Sequence, residues 1–135
     1  MAKPISVQMN RFVWVFTFVV ATVYFFTGMT KVVGAEYQVA MFAGWHLPVW
    51  FMYLVGIYET VLALLMMVKP VVFWATIGLA VEMLGAIVVH LVAGEASMII
   101  FPGLMIALLG LIFFSRMPPR LADRLDLRWH LGHAY

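Results

Sequence analysis

Four long apolar segments dominate this chain of 135 residues and restrict what it can fold into. At 1.5 Å per helical residue, a run of about 20 residues crosses a hydrocarbon core of about 30 Å. Apolar residues make up 66% of the sequence and charged residues 10%, whereas soluble domains average roughly 45–50% and 25%. A chain with so few polar residues needs lipid as the solvent for most of its exterior. The sequence therefore predicts an all-α polytopic membrane protein, a four-helix transmembrane bundle.

Glycine and proline mark the ends of the predicted helices. We expect helices at about 12–33, 48–68, 70–93 and 97–115, within a transmembrane domain that covers residues 1–118. Glycine follows the first and third helices, and proline begins the second and third. Segment 36–42 is typical of a short interfacial helix, and the short link before Pro70 makes the second and third helices antiparallel neighbours.

Positive charge is concentrated on one side of the predicted bundle. Four crossings bring both termini to the same side of the membrane. All the lysines and arginines of the chain except Lys31 then lie on that side. The positive-inside rule then predicts cytoplasmic termini, in the inner membrane of a bacterium. Residues 119–135 are predicted to form a basic amphipathic cytoplasmic tail on the membrane surface. The first apolar segment is too long for a cleaved signal, so we expect it to stay as an anchor.

Four ionisable residues fall inside the predicted helices: Lys31, Glu59, Glu82 and His90. The two acids are near the middle of their helices, and His90 is eight residues further along the third helix, or about 12 Å. Ionisable groups at such depth are costly and usually face the interior of a bundle. We therefore predict one functional polar cluster of these four residues. The alternative is an interhelical network that only fixes helix register.

Small residues recur beside the polar positions, and such residues let membrane helices approach closely. Rows of this kind occur on all four predicted helices, so we expect the carboxyls to lie in packing seams. The rows are Ala21, Tyr24, Gly28 and Lys31; Gly56, Glu59 and Ala63; Ala75, Gly78, Glu82, Gly85 and Ala86; and Gly103, Ala107 and Gly110.

Several kinds of site are disfavoured by composition. The chain has no cysteine, which argues against thiolate metal sites, Fe–S clusters and covalent haem. No compact ligand motif predicts another metal site. The net charge of +2 is too small and too dispersed to predict nucleic-acid binding.

The order of the polar and glycine positions resembles the DoxX-like family of small membrane proteins. The resemblance rests on Phe26-Thr-Gly-Met-Thr-Lys31-Val-Val-Gly34, Phe42-Ala-Gly-Trp-His-Leu-Pro48, Gly56-Ile-Tyr-Glu59 and Glu82-Met-Leu-Gly-Ala86 followed by His90. It covers about residues 15–112. The resemblance implies a four-helix bundle and places the family's polar positions at Lys31, Glu59 and His90, with Glu82 as a further candidate.

The resemblance also implies a link to redox, because the family name derives from a subunit of a thiosulfate:quinone oxidoreductase. We therefore expect an accessory subunit of a membrane-associated oxidoreductase or quinone-linked complex. Its expected partners are the lipid bilayer and either other membrane subunits or further copies of the chain. A quinone is the cofactor that the resemblance suggests, and no catalytic residue can be assigned.

Two other classes of function stay open. The first is a membrane-embedded acid/base enzyme or binding protein for an isoprenoid, steroid or quinone-like lipid, in which the two acids exchange protons with the molecule. The second is an assembly chaperone or a proton-relay or transport element. A cavity distinguishes a binding site from a register network, because direct contacts would close the network.

Overall fold

The computed structural model describes residues 7–125, and all regular structure within them is helical. The elements are α1 (Val7–Val32), α2 (Glu36–Gly44), α3 (Val49–Leu65), α4 (Val72–Val92), α5 (Ile100–Arg116) and α6 (Pro119–Arg124). A short 3-10 helix, Ala96–Ile99, leads into α5. Residues 126–135 of the predicted tail lie outside the described residues.

Four helices build a membrane bundle. Three segments are long and apolar enough to cross a bilayer: Asn10–Val32, Val72–Val92 and Ala96–Arg116. The pair of α2 and α3 qualifies as a fourth crossing when its two helices, whose axes differ by 119°, are counted as one broken span. α3 has 17 residues and reaches about 25 Å, whereas the other three crossing segments have 21 to 23 residues. The all-α membrane bundle predicted from the sequence is confirmed.

The helix ends depart from the predicted boundaries at several places: α1 begins at Val7 and not at about 12, α4 at Val72 and not at 70, and α5 at Ile100 and not at 97. The second helix stops at Leu65, because turns occupy Met66–Val71 before α4 begins. Ser97, the first residue of the predicted fourth helix, does not cap α5, since a 3-10 helix comes first and α5 has no side-chain cap hydrogen bond. In the first long loop the structure places α2, where the sequence allowed a short interfacial helix.

α1 and α4 end in the same hydrogen-bonded turn. Gly34 and Gly94 have φ angles of 67° and 75°, a left-handed conformation that glycine adopts without a Cβ clash. The following residue in each turn donates its N–H to a carbonyl five residues back, Ala35 to Thr30 and Glu95 to His90. This Schellman arrangement satisfies the last carbonyls of each helix. It also directs the chain back across the end of the bundle that carries α2, here called the α2 end.

The packed core lies towards the opposite end of the bundle. Over the whole bundle, α1 packs most extensively on α3, and α4 packs on α5. Buried side chains from all four crossings meet, and they include Val20, Tyr24, Met66, Leu79, Leu109 and Ile112. Near the short α3–α4 turn, Gly78 of α4 lies against Tyr58 and Leu62 of α3. The bundle is therefore closed at this end, which leaves the α2 end as the place for a cavity.

Candidate functional site

A buried ion pair joins α1 to α3. Nζ of Lys31 lies 2.6 Å from Oε2 of Glu59, and it also donates to the backbone carbonyl of Thr27. The Thr27 hydroxyl donates to the other Glu59 oxygen. The Glu59 side chain is 1% exposed and that of Lys31 12%. Both oxygens of this carboxyl are thus satisfied within the protein, as a buried charge requires.

Glycine at the crossing of α1 and α3 makes this pairing possible. A Cβ added at Gly56 would lie 2.7 Å from Cβ of Lys31 and 2.9 Å from the carbonyl oxygen of Gly28. A Cβ added at Gly28 would lie 2.9 Å from the backbone nitrogen of Thr60. These distances are too short for real side chains, so the two helices touch backbone to backbone. Lys31 and Glu59 are held side by side as a result.

Glu82, at the middle of α4, has a different environment. Its Oε2 is enclosed by the protein and has no hydrogen-bond partner within residues 7–125. It makes no hydrogen bond to Glu59, although both acids line one cavity. A buried polar group without a partner costs about 1–3 kcal/mol. An interhelical network that only fixes helix register therefore does not explain Glu82.

A second polar cluster lies at the α2 end. Oε2 of Glu95 accepts from Nε1 of Trp45 at 3.0 Å and lies 2.9 Å from Nδ1 of His90. The hydrogen bonds from Trp45 and then His90 hold the pKa of Glu95 below its usual range. The rings of Trp45 and His90 meet edge to face at 4.9 Å. This cluster fastens the end of α2 to the end of α4.

Gln38 carries the polar contact of α2 with α1. Its Nε2 lies 3.1 Å from Oγ1 of Thr30, and the residue is only 6% exposed. Its Oε1 is buried without a hydrogen-bond partner among the described residues. Within the described residues, the amide nitrogen of Gln38 therefore has a hydrogen-bond partner and the amide oxygen has none, at a site where α2 covers the bundle.

A cavity of about 340 Å³ lies between these groups. Thr27, Lys31, Gln38, Trp45, Glu59, Glu82 and His90 supply its polar wall. The remaining wall is mostly apolar and includes Met41, Phe42, Phe51, Val55, Met83 and Phe101. This size and lining match small-molecule sites, which measure about 300–1,000 Å³ and contain few polar groups. The cavity reaches from the depth of Glu82 to the α2 end.

The cavity wall is open at Gly85. This residue is exposed, and an added Cβ would meet no other atom within 4 Å. Phe51 of α3 and Phe101 of α5, which also line the cavity, are 39% and 49% exposed. Since these residues belong to membrane-spanning helices, the opening faces the region that lipid occupies.

The structure brings all four predicted site residues to one cavity. Further polar residues of that region were not predicted from the sequence: Thr27 of α1, and Gln38, Trp45 and Glu95 outside the long helices. The positions of the last three, in α2 and the turns, gave no sign of depth, because polar residues are ordinary at membrane interfaces. The 119° bend folds α2 back over the bundle, and this places Gln38 and Trp45 at the cavity.

The small-residue row of α5 does not form the packing seam that the sequence suggested. Ala107 is exposed, and a Cβ added at Gly103 or Gly110 would meet no atom within 4 Å. The buried side chains of α5 lie on another face, at Met105, Leu109 and Ile112.

No group of three His, Cys, Asp or Glu side chains within residues 7–125 is arranged to hold a metal ion. Comparisons with curated proteins and with solved structures give no match. The model of the DoxX-like family matches residues 15–112, which is most of the chain and includes parts of α1 and α5 and all of α3 and α4, so this membrane protein belongs to the DoxX-like family.

Proposed function

We propose that this protein binds a lipid-soluble small molecule, of the isoprenoid, steroid or quinone-like class, inside the membrane. The observation that supports this proposal is the cavity of about 340 Å³, with its apolar wall, its few polar groups and its opening at Gly85. The apolar wall suits a hydrocarbon ring or tail. The polar groups suit one compact head group.

The arrangement of charge favours binding over helix register alone. A network that only fixes helix register is stabilised by direct polar contacts between helices. The ion pair of Lys31 and Glu59 already provides such a contact between α1 and α3. Glu82 adds no such contact, because its enclosed oxygen has no partner within residues 7–125. An ionisable residue at this depth is costly, and Glu82 lines the cavity, which favours a role at the cavity over a role in helix register.

The proposal is tested by filling the cavity. Gly85→Leu places a side chain in the open wall, whereas Gly110→Leu adds the same volume on α5, at a glycine that also has open space but does not line the cavity. Each variant and the wild type are purified in mild detergent, and bound lipophilic molecules are extracted and quantified by mass spectrometry. We expect a molecule near one per chain in the wild type and Gly110→Leu, and at least a tenfold loss in Gly85→Leu. Equal content in all three proteins would contradict the proposal.

An accessory role beside a larger membrane oxidoreductase is our second proposal. The family resemblance motivates it, and the small size of the parts outside the membrane supports it. Within residues 7–125, the connections between helices are only a few residues long, so this part of the chain contains no separate domain. Affinity purification from native membranes tests this role. Recovery of a redox-active partner at fixed stoichiometry supports it, and loss of the gene without loss of any membrane redox activity contradicts it.

A further inference from the structure

The gap between α3 and α4 widens towards the α2 end. Near the α3–α4 turn the two helices touch, because the Tyr58 hydroxyl donates to the carbonyl of Gly78 at 2.8 Å and a Cβ added at Gly78 would lie 2.6 Å from the Leu62 side chain. Seven residues make about two helical turns, so Gly85 lies on nearly the same face of α4 as Gly78. A Cβ added at Gly85 would meet no neighbouring atom of residues 7–125 within 4 Å. The helices that touch at Gly78 have therefore separated at Gly85.

α3 shows the same change on its side of the gap. Phe51 lies about two turns from Tyr58 towards the α2 end, and it is exposed although it lines the cavity. Gly85 and Phe51 thus frame an opening of the cavity between α3 and α4. Gly85 lies seven residues, or about 10 Å, before the end of α4 at Val92. The opening is therefore at the depth of the hydrocarbon core and not at the head-group layer.

The end of the cavity nearest the membrane surface is covered by α2. Phe42 of α2 is buried, and its ring lies 6.4 Å from the ring of Phe51. Just after α2, Trp45 donates to Glu95 and meets the ring of His90 at 4.9 Å. All of these residues except Glu95 line the cavity. The cavity is therefore covered towards the membrane surface and open sideways, towards lipid.

The volume of the cavity limits how much of a ligand it encloses. In a protein core, a cavity of about 150 Å³ holds one benzene molecule. The cavity here measures about 340 Å³, so it holds one ring with a few further carbon atoms. A polyprenyl or long alkyl chain does not fit inside. The polar wall suits a head group, which is therefore the part of a ligand that the cavity encloses.

We propose that the ligand is a chain-bearing lipid with a ring or alcohol head group in the cavity and an apolar chain that leaves between α3 and α4, past Gly85 and Phe51, into the bilayer. This inference rests on the proposed ligand-binding function and narrows its ligand class. Gly85 leaves room for the chain where a larger residue would block the gap. A compact molecule without a chain would leave the opening unused.

The molecule extracted from the natively purified protein provides the first test. Mass spectrometry with fragmentation shows whether this molecule carries an apolar chain longer than the cavity can enclose. We expect such a chain, on about one molecule per protein chain. A compact molecule, such as a steroid without a long side chain, would overturn this inference and leave the binding function standing. Absence of any bound molecule would contradict both.

Probes with a bulky chain end test the path of the chain. A benzoquinone and a primary alcohol each carry a decyl chain, with or without a pyrene group at its end, and are added to the protein in nanodiscs. Dissociation constants are expressed as mole fractions of probe in the lipid, so that differences in partitioning cancel. We expect pyrene to change the affinity by less than about threefold for the head group that binds, because the chain end lies outside the cavity. A loss of about tenfold or more, or absence of binding for both head groups, would overturn the inference.

Two variants assign the path to the gap between α3 and α4. Gly85→Leu narrows the gap, so a decyl probe should weaken about tenfold relative to a butyl probe with the same head group, whose short chain stays inside the cavity. Gly110→Leu, at a glycine that does not line the cavity, should leave this ratio unchanged. The ratio within each variant is the readout, so a smaller folded fraction does not imitate the effect. Equal weakening of both probes in Gly85→Leu would contradict the proposed path of the chain.

Discussion

At the scale of single residues, the two acids of the membrane interior have different roles. Glu59 is satisfied on both oxygens by Lys31 and Thr27. Glu82 lines the cavity and keeps an oxygen without a partner in the described part of the chain. The sequence placed both acids at one depth but could not separate these roles, because helix rotation decides which neighbours each carboxyl meets.

The ion pair predicts a non-additive response to mutation. Lys31→Met leaves the Glu59 charge buried without its partner and is expected to lower the free energy of unfolding by about 3–5 kcal/mol. The double variant Lys31→Met with Glu59→Gln should recover much of that loss, because no buried charge remains. Unfolding in mixed micelles measures all variants. Additive losses would contradict the pairing.

At the scale of elements, the crossing of α1 and α3 is the most restrictive contact. Gly56→Ala is expected to destabilise the protein by about 1–3 kcal/mol, because the new methyl group would overlap Lys31 and the backbone of Gly28. Gly110→Ala is the matched control, since open space surrounds it and alanine favours helix by up to about 1 kcal/mol. Thermal unfolding compares the two. Equal effects would show that the close crossing does not exist.

The attachment of α2 predicts a local effect of Glu95. Glu95→Ala removes the acceptor shared by Trp45 and His90, so amide hydrogen exchange in α2 should become several-fold faster. Ser97→Ala, in the same turn and exposed, is the control. Unchanged exchange of α2 in the Glu95 variant would show that the cluster does not hold this helix.

The lowered pKa of Glu95 sets the direction of the pH dependence. A group whose pKa is depressed by folding stabilises the folded state above its ordinary pKa, and that contribution is lost as pH falls through the lowered value. The Glu95 contribution to α2 protection should therefore persist at neutral pH and disappear only below the ordinary glutamate range of about 4.3. Exchange rates, corrected for intrinsic pH dependence and compared with Glu95→Ala, provide the measurement. A Glu95 contribution already lost near pH 6 would contradict this assignment.

The elements also show what sequence reasoning can reach. Four apolar runs were enough to predict the membrane bundle, and the glycines at 34 and 94 stop α1 and α4 through their positive φ angles. The row of small residues on α5 was misread, because spacing shows which residues share a face but not what that face meets. The cavity depends on the bend between α2 and α3, which is made where His46 has a φ of 57° and Pro48 is extended, and the direction of such a turn leaves no periodic signal in the sequence.

At the scale of the whole molecule, the bundle is closed at one end and hollow at the other. The core packs near the α3–α4 turn, and the cavity lies towards the α2 end. Orientation in the membrane decides which compartment is nearer to the cavity. The distribution of lysine and arginine predicts that the closed end, with both termini, is cytoplasmic.

This orientation is open to a direct test, because the chain has no cysteine of its own. Lys69→Cys lies in the α3–α4 turn and Ser97→Cys at the α2 end, and both positions are exposed. A membrane-impermeant maleimide applied to intact cells is expected to label only Ser97→Cys. Labelling of Lys69→Cys alone would reverse the orientation.

The most direct test of the central claim is native mass spectrometry of the protein released gently from its own membrane. The ligand-binding account predicts one added lipophilic mass per chain, which is lost from Gly85→Leu and retained by Gly110→Leu. A wild-type chain that carries no such mass, alone or with partner proteins, would contradict the claim that the cavity is a binding site.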